Sequence, residues 1–239
     1  MPIQTKGTTF EINRIFMRNK HIFLATLLLL ITWGSTLNTQ AQTKNKSVKV
    51  MNIQEIKHSL SGEWISIAPE IRPSSLKNED GSIKPFYLSR VFKYLPEDKF
   101  ELNIISYADA YGKVPVTKML LKGHIIWQGD HPIVANAQKV KFIADEQYEV
   151  TPLVPGFADI LNKVAVNGYN TWELNKAQSI LKKSFPPFNL AENQIFAEYD
   201  LIYLAGDNLF WGARNVDGRG FDIEENRPTN LQIPLIRKF

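Results

Sequence analysis

Arg90 is the residue of this sequence with the clearest chemical use, because it lies in a run of alternating apolar residues. From Phe86 to Tyr94 every second residue is Phe, Leu, Arg, Phe or Tyr, which is the pattern of one face of a β-strand. A guanidinium on such a face needs a partner, since an unpaired buried charge costs several kcal/mol. Arg90 therefore either pairs with Glu63 or Glu70 as a structural ion pair, or binds the carboxylate of a fatty-acid-like ligand.

The apolar residues around Arg90 predict the wall of such a ligand site. The following strand alternates in the same way from Phe100, so the two strands are expected to form an antiparallel hairpin. Each buried methylene contributes about 0.8 kcal/mol, so an acyl chain of around 14–16 carbons with its carboxylate near Arg90 is expected to reach micromolar affinity. The predicted ligand-binding residues are Arg90, Phe86, Phe92, Phe100, Leu102 and Ile104.

Other side chains that could perform catalysis or bind a metal are scattered along the sequence. His124 and His131, with Asp130 beside the second, have no third ligand at the spacing of a metal site. The sequence contains no nucleophile elbow, phosphate-binding glycine loop or dinucleotide motif. A glycosidase would need paired carboxylates. The acidic candidates next to predicted turns are Asp207, Asp217, Glu224 and Glu225.

These observations predict a non-enzymatic binding domain without metal or cofactor. The prediction that it accommodates a lipid or acyl chain depends on the ligand interpretation of Arg90, and also on a family resemblance that is described below. Two alternatives stay open. One is a secreted protein–protein or adhesion module without a lipid ligand, which would expose aromatic residues such as Trp127 and Trp211 as a flat patch. The other is a hydrolase of the cell envelope. The sequence identifies no protein partner.

The first 41 residues have the layout of a secretory signal peptide. Basic residues precede the apolar segment 22–31, and Thr39 and Ala41 are small residues at positions −3 and −1 of a cleavage point. The apolar segment is half as long as the roughly 20 residues that span a bilayer. We therefore expect residues 1–41 to be removed from an exported, periplasmic or extracellular protein. Met17 is an alternative start, and an uncleaved anchor is the alternative interpretation.

The charge balance and the lack of cysteine narrow the class of protein further. The formal net charge is +4, but the predicted signal peptide contains four basic residues and one acidic residue. The remaining 24 basic and 23 acidic residues are nearly balanced, which gives no electrostatic reason to expect nucleic acid as a partner. The absence of cysteine excludes disulfides and thiolate chemistry, and favours a bacterial envelope protein. No later apolar run reaches membrane length, so we expect no membrane span after cleavage.

Hydrophobic periodicity and turn residues predict a mainly β domain with two short helices. Residues 42–57 are expected to form a tether and a short helix, which begins at a capping box formed by Asn52 and Glu55. Residues 58–239 are expected to form one antiparallel β-barrel or half-barrel, lipocalin-like in outline, with a second helix at 157–164. Gly123 predicts a bulge within a strand. The main predicted strands are 86–95, 99–109, 116–128, 133–144 and 195–204.

Gly62 and Trp64 mark the start of the first barrel strand. A glycine permits a sharp turn, and Trp can bury roughly 150–250 Å², enough to fill the floor of a barrel. Lipocalin-like barrels start with a similar Gly-x-Trp, whose ring is covered by an arginine from the last strand. Arg227 and Arg237 are the candidates for that arginine.

Six short motifs occur in order along the predicted mature chain, from about residue 58 to 236. They are Gly62-x-Trp64, Glu70-x-Arg72-Pro73, Ser89-Arg90-x-Phe92-Lys93, Tyr107-x-Asp109, Leu209-Phe210-x-Gly212 and Arg227-Pro228-x-x-x-Gln232-x-Pro234-Leu235. In order and rough spacing they resemble the adenomatosis polyposis coli down-regulated 1 domain family. The last motif is the most specific of the six.

The resemblance implies a β-barrel-like domain with an apolar cavity that accommodates lipid. Animal members of that family are membrane-bound glycoproteins that restrain Wnt signalling, and the Wnt ligand carries an acyl chain. This sequence differs in having no cysteines, one copy of the domain and no apolar C-terminal span. Of the properties that the resemblance implies, we expect lipid or acyl-chain binding to apply here, because it requires only the cavity. The family positions carried over are Gly62, Trp64, Arg72, Arg90, Arg227 and Pro228, first of all as structural residues.

Overall fold

The computed structural model describes residues 50–164, 168–215 and 217–239, apart from the side chains of 73–76. The predicted signal peptide and most of the predicted tether lie outside these residues. The α-helices are α1 (Ile53–Leu60) and α2 (Pro155–Val164). The strands are β1 (Gly62–Ser66), β2 (Glu70–Lys77), β3 (Ile83–Tyr94), β4 (Lys99–Tyr107), β5 (Pro115–Asp130), β6 (Gln138–Pro152), β7 (Gln178–Ser179), β8 (Phe196–Ala205), β9 (Asn208–Trp211) and β10 (Leu235–Arg237).

The ten strands form one antiparallel sheet that closes into a barrel-like ring. Their order is β1-β10-β9-β8-β6-β5-β4-β3-β2, with β7 on β6, and β1 also pairs with β3. Eight strands therefore complete a ring through β1, which removes most free edges. Strand β2 pairs with the first half of β3, and β1 pairs with its second half. The ring is not evenly round about one axis, and the predicted mainly β antiparallel fold with two short helices is confirmed.

The predicted hairpin is formed by β3 and β4, with Tyr94 opposite Phe100. In β5, the register shifts at Gly123, which confirms the predicted bulge. A side chain at Gly123 would overlap the carbonyl oxygen of Ile143 on β6, so the close approach of the two strands requires glycine.

The strand predicted at 133–144 is displaced, because β6 runs from Gln138 to Pro152. The chain turns before β6, where Asn136 has a φ of 72°. Burial alternates along β6 except at the exposed Glu146, and the alternation resumes with the buried Tyr148 and Val150. The apolar alternation of its second half marks this extension.

Helix α1 closes the end of the barrel near Trp64. It begins at the predicted capping box, in which the side chains of Asn52 and Glu55 each accept a hydrogen bond from the other residue's backbone N–H. The indole of Trp64 donates to the carbonyl of Leu60 at 2.8 Å. Helix α1 continues to Leu60, so the predicted boundary at 57/58 falls within the helix.

Arg237 is the arginine that covers Trp64. Its guanidinium carbon lies 4.2 Å from the centre of the indole ring. Its Nη atoms donate to the carbonyls of Ser59 and Ser61, at the C-terminal end of α1, where a cation is favourable. Arg227, the other candidate, lies elsewhere and contacts the ring of Tyr199. One arginine from the last strand therefore holds both the helix and the tryptophan.

The middle of the barrel is filled by packed aromatic rings. Phe92 is the centre of this cluster, with ring centroids 4.5–5.5 Å from four neighbours. These neighbours are Tyr94, Phe100, Phe142 and Trp211. Such contacts add to the large apolar area that each ring buries. Within the described residues, no helix is long and apolar enough to cross a bilayer.

Candidate functional site

A cavity of about 230 Å³ lies beyond the aromatic cluster, on the side of the barrel away from α1. Strands β3 and β4 give it an apolar wall, while β2, β8 and the segment after β9 supply most of its charged and polar groups. The apolar wall consists of Phe86, Leu88, Leu102 and Ile104, with Trp211 from β9. The charged lining residues are Arg72, Arg90, Glu198, Asp200, Arg214 and Arg219.

Two buried arginines share one carboxylate at this cavity. Arg90 donates from Nε and Nη2 to the two oxygens of Glu70, each at 2.9 Å. Arg72 also donates to Glu70, and so does the hydroxyl of Ser66 at 2.8 Å. Arg90 is only 5% exposed and Arg72 only 8% exposed. We call Arg72, Glu70 and Arg90 the arginine triad, and it carries one more positive than negative charge.

Strand alternation and register bring the arginine triad together. Glu70 and Arg72 are two residues apart, so both face the interior from β2. Glu70 lies opposite Leu88 on β3, and Arg90 is therefore its diagonal neighbour on the same face. The predicted ion pair of Arg90 is thus formed with Glu70. Glu63, the other candidate, pairs with Lys93 and Lys238.

Burial lowers the pKa of Arg72 to about 10, with a further contribution from the neighbouring Arg90. Arg72 therefore still carries its charge at neutral pH. The guanidinium of Arg90 also lies 4.3 Å from the ring centre of Trp211. This cation–π contact joins the triad to the aromatic core and fixes the position of Arg90.

A second charged group faces the cavity from β8. Asp200 is 3% exposed, and its Oδ1 accepts hydrogen bonds from the backbone N–H groups of Leu201 and Gly212, at 2.7 and 2.9 Å. Burial, together with the nearby Glu198 carboxylate, raises the pKa of Asp200 to about 7. Asp200 is therefore protonated much more readily than an ordinary aspartate.

Arg214 pairs with Glu198, which also lines the cavity from β8. It donates to Glu198 at 2.7 Å and lies 4.3 Å from the ring centre of Phe221. Burial disfavours its charged form, but the Glu198 carboxylate raises the pKa of Arg214 above its ordinary value. Arg219 pairs with the exposed Asp217 at 3.1 Å. Because arginines outnumber carboxylates in the cavity lining, the net charge of the lining becomes more positive when Asp200 takes up a proton.

Four of the six predicted ligand-binding residues line the cavity: Arg90, Phe86, Leu102 and Ile104. Phe92 and Phe100 instead stack on each other in the core, with ring centroids 5.4 Å apart. Sequence reasoning missed Glu198 and Asp200, although two carboxylates in the otherwise apolar stretch 195–204 were a visible signal. It also missed Arg214, which no local pattern links to β3.

Arg227 and Pro228 support the β8–β9 wall of the cavity. Arg227 donates from Nη1 to the carbonyls of Val140 and Asp200, at 2.8 and 2.7 Å. A side chain at Gly212 would overlap the ring of Pro228 and approach Asp200 Oδ1 to 2.5 Å. The motif that ends at Gly212 and the motif that begins at Arg227 therefore lie together beside Asp200.

Gly212→Ala is expected to lower the free energy of unfolding by about 1–3 kcal/mol, because the added methyl overpacks the contact with Pro228. Chemical denaturation measures the loss. Gly156→Ala is the control, since a methyl group there meets open space. Equal stability of the two variants would contradict the close packing of Gly212.

A second cavity of about 350 Å³ lies between α1 and the β3–β4 turn. Among its lining residues, Lys57 pairs with Asp98 at 2.7 Å, and Trp127 donates to the same carboxylate at 2.9 Å. The ammonium of Lys57 also lies 5.2 Å from the Trp127 ring centre. These groups satisfy one another, so this cavity offers weaker grounds for a charged ligand than the cavity beside the arginine triad.

The other candidate groups do not converge. His124 pairs with Asp145 at 3.0 Å, and the described residues contain no cluster of three or more metal-ligating side chains. Asp207, Asp217 and Glu224 each pair with a different arginine. The suggested flat patch of Trp127 and Trp211 is wrong, because Trp211 is 5% exposed and packs in the core.

A scan of protein-family models finds no match to this chain, and a search of curated proteins finds none either. The resemblance to the adenomatosis polyposis coli down-regulated 1 domain family stays a prediction carried by the six motifs.

Proposed function

We propose that this chain is an exported, non-enzymatic binding domain that holds the carboxylate of a lipid or acyl ligand beside the arginine triad. The observation that carries the proposal is the sharing of Glu70 by two buried arginines at the edge of a cavity with an apolar wall. An uncompensated buried charge is unfavourable, and a ligand carboxylate would compensate it.

The geometry of the cavity fits an amphiphilic anion better than a purely polar ligand. Guanidinium groups bind carboxylates through paired hydrogen bonds, and such charge-assisted bonds are among the strongest in proteins. Leu88, Leu102 and Ile104 face the same space and would contact the methylene groups that follow the carboxylate. Phe86, which is 39% exposed, would contact the part of the chain that leaves the cavity.

The size of the cavity limits how much of the chain can be enclosed. Its volume of about 230 Å³ is below the roughly 300–1,000 Å³ of sites that enclose drug-sized ligands. The aromatic cluster fills the barrel beyond it. We therefore propose that the first part of an acyl chain is enclosed, in contrast to the 14–16 carbons expected from the sequence.

This proposal predicts a chain-length dependence that levels off. Affinity for saturated fatty acids should rise by at most about fourfold per methylene while the cavity fills, because each buried methylene contributes about 0.8 kcal/mol. It should change little for longer chains. Displacement of a fluorescent fatty-acid analogue by a series from hexanoate to palmitate measures this dependence.

Arg90→Met in the same assay tests the head-group contact. We expect carboxylates to bind about 10- to 100-fold more weakly, as for loss of a charge-assisted hydrogen bond, and methyl esters to change much less. The variant should fold, because Glu70 keeps Arg72 and Ser66 as partners. Lys93→Met, on the outer face of the same strand, is the matched control.

Three results would contradict the proposal. They are no displacement at all, equal effects of Arg90→Met on acids and esters, and an effect of Lys93→Met as large as that of Arg90→Met.

A further inference from the structure

Asp200 is a buried carboxylate that lies in the same cavity as the proposed ligand carboxylate. It lines the cavity from β8, and its Oδ1 is held by two backbone N–H groups. The arginine triad approaches from β2 and β3. The charged and titratable groups that face Asp200 or its surroundings are Glu198, Arg72, Arg90, Tyr94, Arg214 and Arg227.

An ionised Asp200 and a bound anion would both interact with the arginines around the cavity, and the two negative charges would repel each other. The charge of Asp200 acts on Arg72 and Arg214, and Arg227 donates to its backbone carbonyl. A ligand carboxylate placed among these cations would be repelled by an ionised Asp200 and not by a protonated one. Because Asp200 and Arg72 are buried, this repulsion is screened less than it would be at a surface.

We infer that Asp200 makes binding at this cavity dependent on pH, so that an anionic amphiphile binds more tightly when Asp200 is protonated than when it is ionised. The inference rests on the proposed function, since it describes the regulation of the same site. Bound ligand and bound proton favour each other reciprocally, as linkage requires.

Whether affinity rises or falls with pH depends on the pKa of Asp200 in the free and in the ligand-bound protein. Burial and Glu198 place the pKa of free Asp200 at about 7, and a bound anion would raise that pKa further. Affinity should therefore be highest below pH 7 and should fall as Asp200 ionises above that pH. If the bound anion raises the pKa of Asp200 by about one unit, the fall is about tenfold. A fatty acid is ionised throughout this window, since a carboxyl group titrates near pH 4–5.

The test compares decanoate with its methyl ester at pH 6 and pH 9, using the wild-type protein, Asp200→Asn and Asp159→Asn. We expect decanoate to bind the wild-type protein about tenfold more weakly at pH 9, and the ester to bind equally at both. Asp200→Asn should bind decanoate tightly at both values. Asp159, an exposed carboxylate on α2, is the control, and Asp159→Asn should behave as wild type.

The outcomes separate this inference from the proposed function. If decanoate binds neither at pH 6 nor at pH 9, the proposed function is wrong. If it binds equally at both, or if Asp200→Asn keeps the full pH dependence, the inference is wrong and the proposed function stands.

Calorimetry on the wild-type protein gives a second test that needs no variant. Decanoate titrations near pH 7.5, in two buffers with different ionisation enthalpies, measure the protons taken up per ligand bound. The inference predicts net uptake of a fraction of a proton. Zero uptake or net release would overturn it, even if Asp200→Asn fails to fold.

Discussion

Glu70→Gln is expected to lower the free energy of unfolding by about 3–5 kcal/mol, which is the cost of removing one partner from a buried ion pair. The glutamine keeps the shape of the side chain but leaves Arg72 and Arg90 as two buried cations without a carboxylate between them. Both arginines are buried, with exposed fractions of 8% for Arg72 and 5% for Arg90, so water compensates little of their charge. Urea denaturation measures the loss.

Glu63→Gln is the matched control for this prediction. Glu63 lies on the neighbouring strand β1 and pairs with Lys93 and Lys238 at the surface. Surface ion pairs contribute roughly 0–1 kcal/mol, so this variant should remain close to wild type. Comparable losses in the two variants would mean that Glu70 is no more than a surface ion-pair partner.

Trp64→Ala is expected to lower the free energy of unfolding by about 3–5 kcal/mol, because it removes a fully buried tryptophan from the closed end of the barrel. The substitution also removes the hydrogen bond to Leu60 and the ring beneath Arg237. Helix α1 would then lose a contact at its C-terminal end. Thermal or chemical unfolding measures the effect.

Trp64→Phe separates ring packing from the polar contact. It keeps most of the apolar volume and the ring face for Arg237, so we expect a clearly smaller loss of stability. If the alanine and phenylalanine variants were equally stable, and both close to wild type, Trp64 could not be the plug of the barrel.

Much of the fold could be predicted from local sequence, because the signals are local. The alternation of Phe86 to Tyr94 predicts a strand, the pair Asn52 and Glu55 predicts the helix start, and Gly123 predicts the bulge. Each depends on the pleat of a strand, on helix capping or on the steric freedom of glycine, which act over a few residues.

The alternation of strand residues favours Glu70 over Glu63 as the partner of Arg90. Glu63 is adjacent to Trp64 in β1, and successive strand residues point to opposite faces. If Trp64 faces the core, Glu63 must face outward, which leaves Glu70 for Arg90. The sequence contains this information, although the register between β2 and β3 is needed to use it.

The rest of the site could not be predicted because it depends on long-range closure of the sheet. Asp200 and Arg72 are 128 positions apart, and they approach the same cavity only because β1 joins β10 to β3. No periodicity along one segment reveals such a pairing. The same holds for Gly212 and Pro228, whose contact follows from the path of the chain after β9.

The most direct measurement of the central claim is an NMR titration of the ¹⁵N-labelled protein with decanoate, followed through the indole N–H signals. Trp211 lines the cavity beside Arg90, whereas Trp127 lines the other cavity near α1. The proposed site predicts a saturable shift of the Trp211 signal, weakened in Arg90→Met, with Trp127 unchanged. A titration that leaves Trp211 unmoved, or that shifts Trp127 instead, would contradict ligand binding beside the arginine triad.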